Sequence, residues 1–262
     1  MLYVREKMLS KQAKVVRRVA ALDEKLVHLR DTEFRKQLMS ETCPTKKLAG
    51  RVSNYERIFP WDGETPDYEP SADQSIAARA KREGRDPEEL VYDTLLEKDG
   101  KRMLYRPLSN YAYGDLNTVG EMMKHPDTLV SLGDGGAHVG VLCDASSMAY
   151  MLTHWTRDRT RGDKVELSWA IKRITNDNAQ AIGLNDRGQL KPGFKADINV
   201  IDYDRLALGY PQVAYDLPSG GRRLIQKSDG FEATIVSGVP VYRNGESTGQ
   251  YPGRLVRGPQ VC

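Results

Sequence analysis

The sequence predicts an α/β protein whose helical pattern changes to a β-rich one near residue 190. Three observations predict this class: helix caps between residues 71 and 97, an apolar run at 128–132 without alternation, and short strand-like runs after Gly193. The length of 262 residues suits one large domain or two modest ones. We therefore expect a helix-rich part over 1–190 and a β-rich part over 191–262.

Cap signals predict where the first helices begin and end. Ser71 and Gln74 have the spacing of a capping box, and Gly84 supplies the left-handed residue that ends a helix. Asp86 stands directly before a proline, which is the order of a cap and a first helical residue. Apolar residues at near-helical spacing predict a further helix downstream. The predicted helices are 71–83, 87–97 and 166–183.

The apolar run at 128–132 predicts a different element. It lies between Pro126 and Gly133 without polar alternation, which is typical of a strand buried on both faces in a parallel sheet or an α/β barrel. A glycine-rich loop follows, so Asp134 stands at the carboxyl end of this strand. Functional carboxylates of α/β barrels project from that end, and neighbouring glycines let a substrate or metal approach the backbone.

After Gly193 the pattern consists of short strands separated by turns. An Asn244-Gly245 pair follows the last of them, and such a pair between strand-like runs is a strong hairpin signal. The predicted strands are 197–202, 233–236 and 240–243.

Three residues are candidates for a functional site, each with an alternative role. Asp134 is the candidate catalytic residue, although an Asp in a glycine-rich loop also serves as a turn or cap residue. His138 could be a ligand or an acid–base group, or could only be hydrogen-bonded. Arg157, in the cationic run 154–161, could hold a substrate carboxylate in a bidentate pair or belong to a surface Arg–Asp network.

Several other site classes lack their defining residues in this sequence. The glycine-rich loop has no Lys-Ser/Thr ending, which excludes a phosphate-binding P-loop. His-x-His and Cys-x-x-Cys pairs are missing, and no Gly-x-Ser-x-Gly nucleophile elbow between a strand and a helix supports a Ser-His-Asp site. A metal site built from this chain alone would therefore be short of ligands.

Composition and charge limit where the protein can be located and which partners it can bind. No run approaches the roughly 18 apolar residues of a membrane span, and no signal peptide is evident at the start. Three widely spaced cysteines indicate a reducing compartment, so we expect a cytoplasmic protein. Residues 1–30 hold eight Lys or Arg against three acidic residues, which could suit nucleic acid or an acidic lipid surface. An apolar face in the same segment favours ordinary packing, so we expect neither partner.

An ordered series of motifs resembles a known family. The motifs lie at 133–138, 152–159, 175–184, 186–193, 196–202 and 216–224. Together they resemble the carboxyl-terminal half of amidohydrolase-superfamily enzymes, and among these the N-acyl-D-amino-acid deacylases, or D-aminoacylases. The resemblance implies an α/β fold: a partial metal-dependent hydrolase (β/α)8 barrel with a small β-sandwich-like carboxyl-terminal segment. The incomplete barrel portion would cover 1–190, with its last strand near 127–134.

The resemblance also implies a reaction and a set of roles. It implies hydrolysis of the amide bond of a small N-acyl amino acid with zinc as the cofactor. Asp134 matches the family's aspartate that binds the metal and carries a proton from the attacking water to the departing nitrogen. His138 and Arg157 are expected to bind substrate.

The departures from the family lead to a second hypothesis. The family's His-x-His pair, its bridging acidic residue or cysteine, and its later histidines are all missing here. We therefore expect a truncated enzyme that is inactive alone, with a partner chain supplying the missing half of the barrel. The alternative is a non-catalytic remnant or subunit that binds such a partner.

Overall fold

The computed structural model describes residues 22–40, 54–63, 65–131, 139–140 and 142–260. The chain forms two compact units, one ending at Leu116 and the other beginning at Asn117. The change of pattern predicted near residue 190 therefore falls inside the second unit. The assignment of 1–190 and 191–262 to separate family domains stays a prediction.

The first unit is mainly helical among its described residues. Its helices are α1 (Leu22–Arg30), α2 (Thr32–Ser40), α3 (Ile76–Glu83) and α4 (Pro87–Gly100), with 3-10 turns at Tyr55–Arg57, Ala72–Gln74 and Ser109–Tyr111. A short antiparallel ladder pairs β1 (Phe59–Pro60) with β2 (Leu104–Tyr105). The last turn of α4 departs from helical geometry at Glu97, so its regular part ends where the sequence predicted.

The cap of α4 is the one that the sequence predicted. The carboxylate of Asp86 accepts hydrogen bonds from the backbone N–H groups of Glu88 at 2.8 Å and Glu89 at 3.1 Å. These groups have no partner inside the helix, and a capping side chain of this kind stabilises a helix by about 1 kcal/mol. The helix predicted over 87–97 is confirmed.

The start of the preceding helix was predicted wrongly. The side chain of Gln74 accepts from the backbone N–H of Ser71 at 2.8 Å, as a capping box requires, but this pair encloses a 3-10 turn. Ser75 is extended and accepts from the N–H of Ala78 at 3.2 Å, so it is the cap of α3. Ile76, the first residue of the helix, is completely buried. The predicted end at Gly84 is confirmed, since that residue is left-handed with φ +63°.

The core of the first unit lies between α3 and α4. Six of its apolar side chains are buried together: Ile58, Ile76, Ala80, Leu90, Val91 and Leu95. A second cluster joins α4 to the first helices through Leu29, Leu38 and Tyr92. Burying one such large side chain contributes about 1.5–3 kcal/mol, so these contacts hold the short elements of the unit together.

Tyr92 gives this unit a testable dependence on pH. Its ring is 1 % exposed, its hydroxyl donates to the carbonyl of Leu29, and burial raises the pKa of the phenol to about 12 from 10. The folded protein therefore keeps the phenol proton at pH values where the unfolded chain loses it. The stabilisation is complete below pH 10 and decreases as the pH rises toward 12.

We expect the free energy of unfolding of the wild type to fall toward that of a Tyr92→Phe variant between pH 10 and 12. Urea denaturation of both proteins at several pH values measures this difference. A difference that stays constant over this range would contradict the burial of the phenol.

The second unit combines helices with short antiparallel ladders. Its helices are α5 (Asn117–Lys124), α6 (Ser147–Thr153), α7 (Leu167–Ile174) and α8 (Asn176–Ala181), with a π-helical turn at His154–Asp158 and a 3-10 turn at Pro218–Gly220. Its strands are β3 (Ile198–Ile201), β4 (Ala207–Leu208), β5 (Gln212–Leu217), β6 (Gly221–Ile225), β7 (Ser228–Asp229), β8 (Phe231–Val236), β9 (Val239–Arg243) and β10 (Glu246–Ser247). The antiparallel sheet has the order β10-β9-β8-β3, and separate ladders pair β4 with β7 and β5 with β6.

The carboxyl-terminal strands follow the predicted pattern. All three predicted strands are present, and Asn244 and Gly245 form the predicted hairpin turn with φ values of +48° and +80°. Ser237 and Gly238 have nearly the same angles, +51° and +80°, and connect β8 to β9 in the same way. Two successive positive φ values define the turn whose twist matches antiparallel strands.

The helix predicted over 166–183 is broken in two. Thr175 separates α7 from α8, with φ −122° and ψ −83°. Its hydroxyl donates to the carbonyl of Ile171 at 2.6 Å, a local bond that competes with the helical ladder and bends helices. Apolar spacing alone does not report this competition.

The buried strand predicted at 128–132 was expected to be the last barrel strand, near 127–134. Its described residues do not form a strand. Residues 128–131 belong to no ladder, and Leu129 is 52 % exposed. A parallel strand needs neighbouring strands on its edges, and the described residues supply none to this segment. The described parts of the chain contain no closed barrel, so the predicted partial barrel is not confirmed.

Among the helices of the described ranges, none is both long enough and apolar enough to cross a membrane.

Candidate functional site

The segment that carries Asp134 and His138 lies outside the described residues, but the residues on both sides of it are described. We call residues 128–131 the upstream flank and residues 139–140 the downstream flank. Upstream, the side-chain amide of Asn178 donates to the carbonyl of Val130 at 2.8 Å. Downstream, the backbone N–H of Leu224 donates to the carbonyl of Val139 at 2.7 Å. The chain is therefore anchored to α8 before these two candidate residues and to β6 after them.

The upstream flank is held by a second side chain. One guanidinium nitrogen of Arg173, Nη2, donates to the carbonyl of Thr128, to that of Met123 at 3.0 Å and to the Thr128 hydroxyl at 3.2 Å. The hydroxyl of Thr128 itself donates to the carbonyl of Met122 at 2.7 Å. The turn between α5 and the flank is thus closed by side chains.

The charge of Arg173 is balanced by Asp177. The two side chains are 3.2 Å apart and largely buried, with exposed fractions of 11 % and 15 %. A hydrogen bond from Lys172, together with that from Arg173, holds the pKa of the Asp177 carboxyl below its usual value. Asp177 is consequently ionised at neutral pH, and the guanidinium has its counter-ion.

Downstream of the flank, Cys143 is a half-buried free thiol. Burial, followed by the charge of Asp144, raises the pKa of the thiol. At neutral pH it is therefore protonated, whereas nucleophiles and metal ligands are thiolates. This environment does not favour a catalytic or ligand role for Cys143.

The helix after the flank ends in a π-helical turn that presents aromatic and cationic side chains. The ring of His154 stacks on that of Tyr150, with centroids 4.5 Å apart and planes inclined by 12°. Turns of this type often occur at functional sites. The π-helical turn also places Arg157, a predicted substrate-binding residue, beside a second turn, at 202–206, which follows β3.

Arg157 uses all five of its N–H donors within the protein. Nε and Nη2 bind the carboxylate of Asp158 at 2.7 and 3.0 Å. Nη1 donates to the carbonyl of Tyr203 and, at 3.4 Å, to that of Asp204, while Nη2 also donates to that of Leu206 at 2.7 Å. This geometry favours the Arg–Asp network that the sequence left open. Substrate binding by Arg157 stays a prediction that these contacts do not support.

A conservative substitution of Arg157 tests the two roles. In Arg157→Lys the bidentate pair and most carbonyl contacts are lost, so we expect the protein to be destabilised by about 2 kcal/mol. Urea denaturation measures this, with Arg205→Lys as the control because the Arg205 side chain is 68 % exposed. Unchanged stability of Arg157→Lys would favour the substrate-binding role instead.

Arg159, the buried arginine of this region, was not among the residues predicted for the site. It is 3 % exposed, donates to Asn117 Oδ1 at 2.8 Å and to the carbonyl of Asp163 at 2.9 Å, and lies 4.5 Å from the ring centroid of Trp155. A Trp and an Arg four residues apart on one helical face were the available signal.

Comparison with known proteins identifies the family of the chain. A family model described as the amidohydrolase family matches residues 51–242, about three quarters of the chain. The chain belongs to the amidohydrolase family. The matched range includes both flanks, the segment between them and the turn that Arg157 holds.

One curated amidohydrolase relative is a D-aminoacylase from Alcaligenes xylosoxydans xylosoxydans. It is 29 % identical over 106 residues, which are 40 % of this chain and 19 % of the relative. The matched part of the chain thus spans about a fifth of that protein's length. No solved structure matches the chain.

Amidohydrolases are generally metal-dependent, and a metal site needs several ligand side chains close together. Within the described ranges, no three side chains of His, Cys, Asp or Glu come together. Asp134 and His138 lie outside these ranges. The described residues by themselves do not form a metal site.

Proposed function

We propose that this amidohydrolase acts on the amide bond of N-acyl-D-amino acids. The observation that carries the proposal is the family match over 51–242, which contains the Gly-Asp-Gly-Gly-Ala-His run at 133–138. The partial identity to a D-aminoacylase supports the substrate class. The resemblance of the motif series, in the same order, supports Asp134 as the catalytic residue.

In this proposal Asp134 moves one proton. Its carboxylate accepts a proton from the attacking water while the water oxygen bonds to the amide carbon. It then gives that proton to the amine nitrogen as the carbon–nitrogen bond breaks. General acid–base transfer of this kind contributes about 10²–10⁴ to a rate. His138 is proposed to contact the substrate.

Zinc is the proposed metal, with Asp134 as one of its ligands. Catalytic zinc sites use about three protein ligands, and the described residues provide no such group. The remaining ligands would have to come from outside the described residues. A partner chain that supplies the other part of the barrel is therefore part of the proposal, as is a cytoplasmic location.

A non-catalytic subunit is the second candidate function. The lack of a closed barrel and of a ligand group in the described ranges favours it. It predicts no turnover by the complex of this chain with its partner at any zinc concentration, and no stoichiometric zinc in that complex.

The experiment that tests the proposal measures amine release from N-acetyl-D-methionine by the full chain in complex with the partner that it retains on native purification, with and without added zinc. N-acetyl-L-methionine is the matched control substrate. We expect zinc-dependent release from the D-enantiomer at a rate at least tenfold above that from the L-enantiomer. No release from either, together with no zinc in the dialysed protein, would overturn the hydrolase proposal and favour the non-catalytic subunit.

A further inference from the structure

Two side chains of the α7–α8 pair hold the backbone that leads to residue 131. Arg173 reaches the carbonyls of Met123 and Thr128, and Asn178 reaches the carbonyl of Val130 at 2.8 Å. We call Arg173 and Asn178 the carbonyl clamp. Their last contact lies four residues before Asp134.

The clamp contacts resemble those of a neighbouring strand. Thr128 and Val130 are alternate residues, and in an extended chain the carbonyls of alternate residues point to the same side. The side-chain amide of Asn178 supplies to the carbonyl of Val130 the donor that a peptide of a neighbouring strand would supply, while its own acceptor has no donor among the described residues. Leu129, between the two clamped residues, is 52 % exposed.

The clamp is itself fixed by its surroundings. Arg173 is 11 % exposed, pairs with Asp177 at 3.2 Å and lies 5.7 Å from the ring centroid of Trp169. Long side chains lose rotamer freedom when they are held in this way, and less is lost when the guanidinium is already positioned by a counter-ion. The clamp therefore restrains the flank more tightly than two surface side chains would.

Two polar atoms of the clamp are left over, and one of them, Arg173 Nε, is buried without an acceptor among the described residues. Asn178 Oδ1 is buried, and no described residue donates a hydrogen bond to it. A buried acceptor without a donor costs about 1–3 kcal/mol. The orientation of this amide is thus maintained at a cost, with its donor side turned toward the carbonyl of Val130.

We propose that Arg173 and Asn178 are positioning residues that set where the chain enters the segment carrying Asp134. This inference rests on the proposed function, because it gives the clamp a role through Asp134. A catalytic group misplaced by about 1 Å can lose about 10² in rate, so the restraint on its upstream flank has a kinetic consequence.

Hydrogen exchange of the purified full chain tests the clamp without any assay of activity. Asn178→Leu removes the donor, and Asn178→Asp removes it in a side chain of the same size. Gln180→Leu, on the exposed side of the same helix, is the matched control. We expect the amides of Asp127 and Thr128, whose N–H groups donate to Nδ1 and to the carbonyl of His125, to exchange about tenfold faster in both Asn178 variants, as measured in a peptide covering residues 126–131. Exchange in the control and elsewhere in all three variants should match the wild type.

Exchange at 126–131 that is unchanged in both Asn178 variants would overturn the clamp, whatever the rate of hydrolysis. Faster exchange throughout the second unit would overturn it also, because it indicates general destabilisation.

Kinetics of the same variants separate this inference from the proposed function. If the wild type, assayed in complex with its partner, hydrolyses N-acetyl-D-methionine, the Asn178 variants in the same complex should lose at least tenfold in kcat with KM changed less than twofold. An unchanged kcat, or a loss confined to KM, would overturn the positioning role. A wild type without activity but with the expected local exchange would instead refute the proposed function and leave the clamp as a restraint on the flank.

Discussion

Asp134→Asn is expected to lower kcat for N-acyl-D-amino acid hydrolysis by at least about 100-fold. Asparagine has nearly the size and shape of aspartate, but its amide cannot accept the proton of the attacking water or return it to the leaving nitrogen. Because the substitution hardly changes packing, the loss should fall on kcat and leave the fold intact. Steady-state rates and a circular dichroism melt of the same preparation measure both.

Asp127→Asn is the matched control for Asp134→Asn. Its carboxylate precedes the upstream flank and its side chain is 88 % exposed. We expect its kcat to stay within twofold of the wild type. If Asp134→Asn also stayed within twofold, with the wild type active, the proton-transfer role would be refuted while hydrolysis by other residues remained.

The elements predicted best are those fixed by a few neighbouring residues. The Asp86 cap, the left-handed Gly84 and the Asn244-Gly245 turn depend on local hydrogen bonds and allowed backbone angles, which short patterns report directly. The prediction of a buried strand at 128–132 was wrong for the described residues 128–131, because burial on both faces depends on neighbouring strands. An apolar run shows that a segment could be buried and not that its partners are present.

The candidate site was predictable only in outline. The sequence identified the run around Asp134 from its order among other motifs, and the family match over 51–242 agrees with that. It could not distinguish Arg157 from Arg159, because two arginines two residues apart have the same composition signal. Which one is buried depends on the π-helical turn, a backbone change that no propensity scale reports.

Asn178 shows why the rest of the flank escaped prediction. Its contact with Val130 joins residues 48 positions apart, and Asn is ordinarily a cap or turn residue. Nothing near it in the sequence marks the carbonyl it binds. Such long-range bonds from side chain to backbone become visible only in the folded structure.

Gly230→Ala is expected to destabilise the second unit by about 4 kcal/mol, from positive-φ strain and overpacking together. Gly230 connects β7 to β8 with φ +91°. A Cβ there would lie 2.7 Å from Leu206 Cα and 2.9 Å from the carbonyl oxygen of Asp202. These are backbone atoms, and the carbonyl of Leu206 is also held by Arg157 at 2.7 Å. The turn cannot move away without giving up that hydrogen bond.

Gly238→Ala separates the close contact from the backbone strain in Gly230→Ala. Gly238 has a similar φ of +80°, but a Cβ there would meet nothing within 4 Å. Its cost should therefore be the left-handed strain alone, about 1–2 kcal/mol. In urea denaturation followed by tryptophan fluorescence, Gly230→Ala should be less stable than Gly238→Ala by at least about 2 kcal/mol. Equal losses would mean that the turn at 202–206 yields to the added methyl group, and that Arg157 does not fix it.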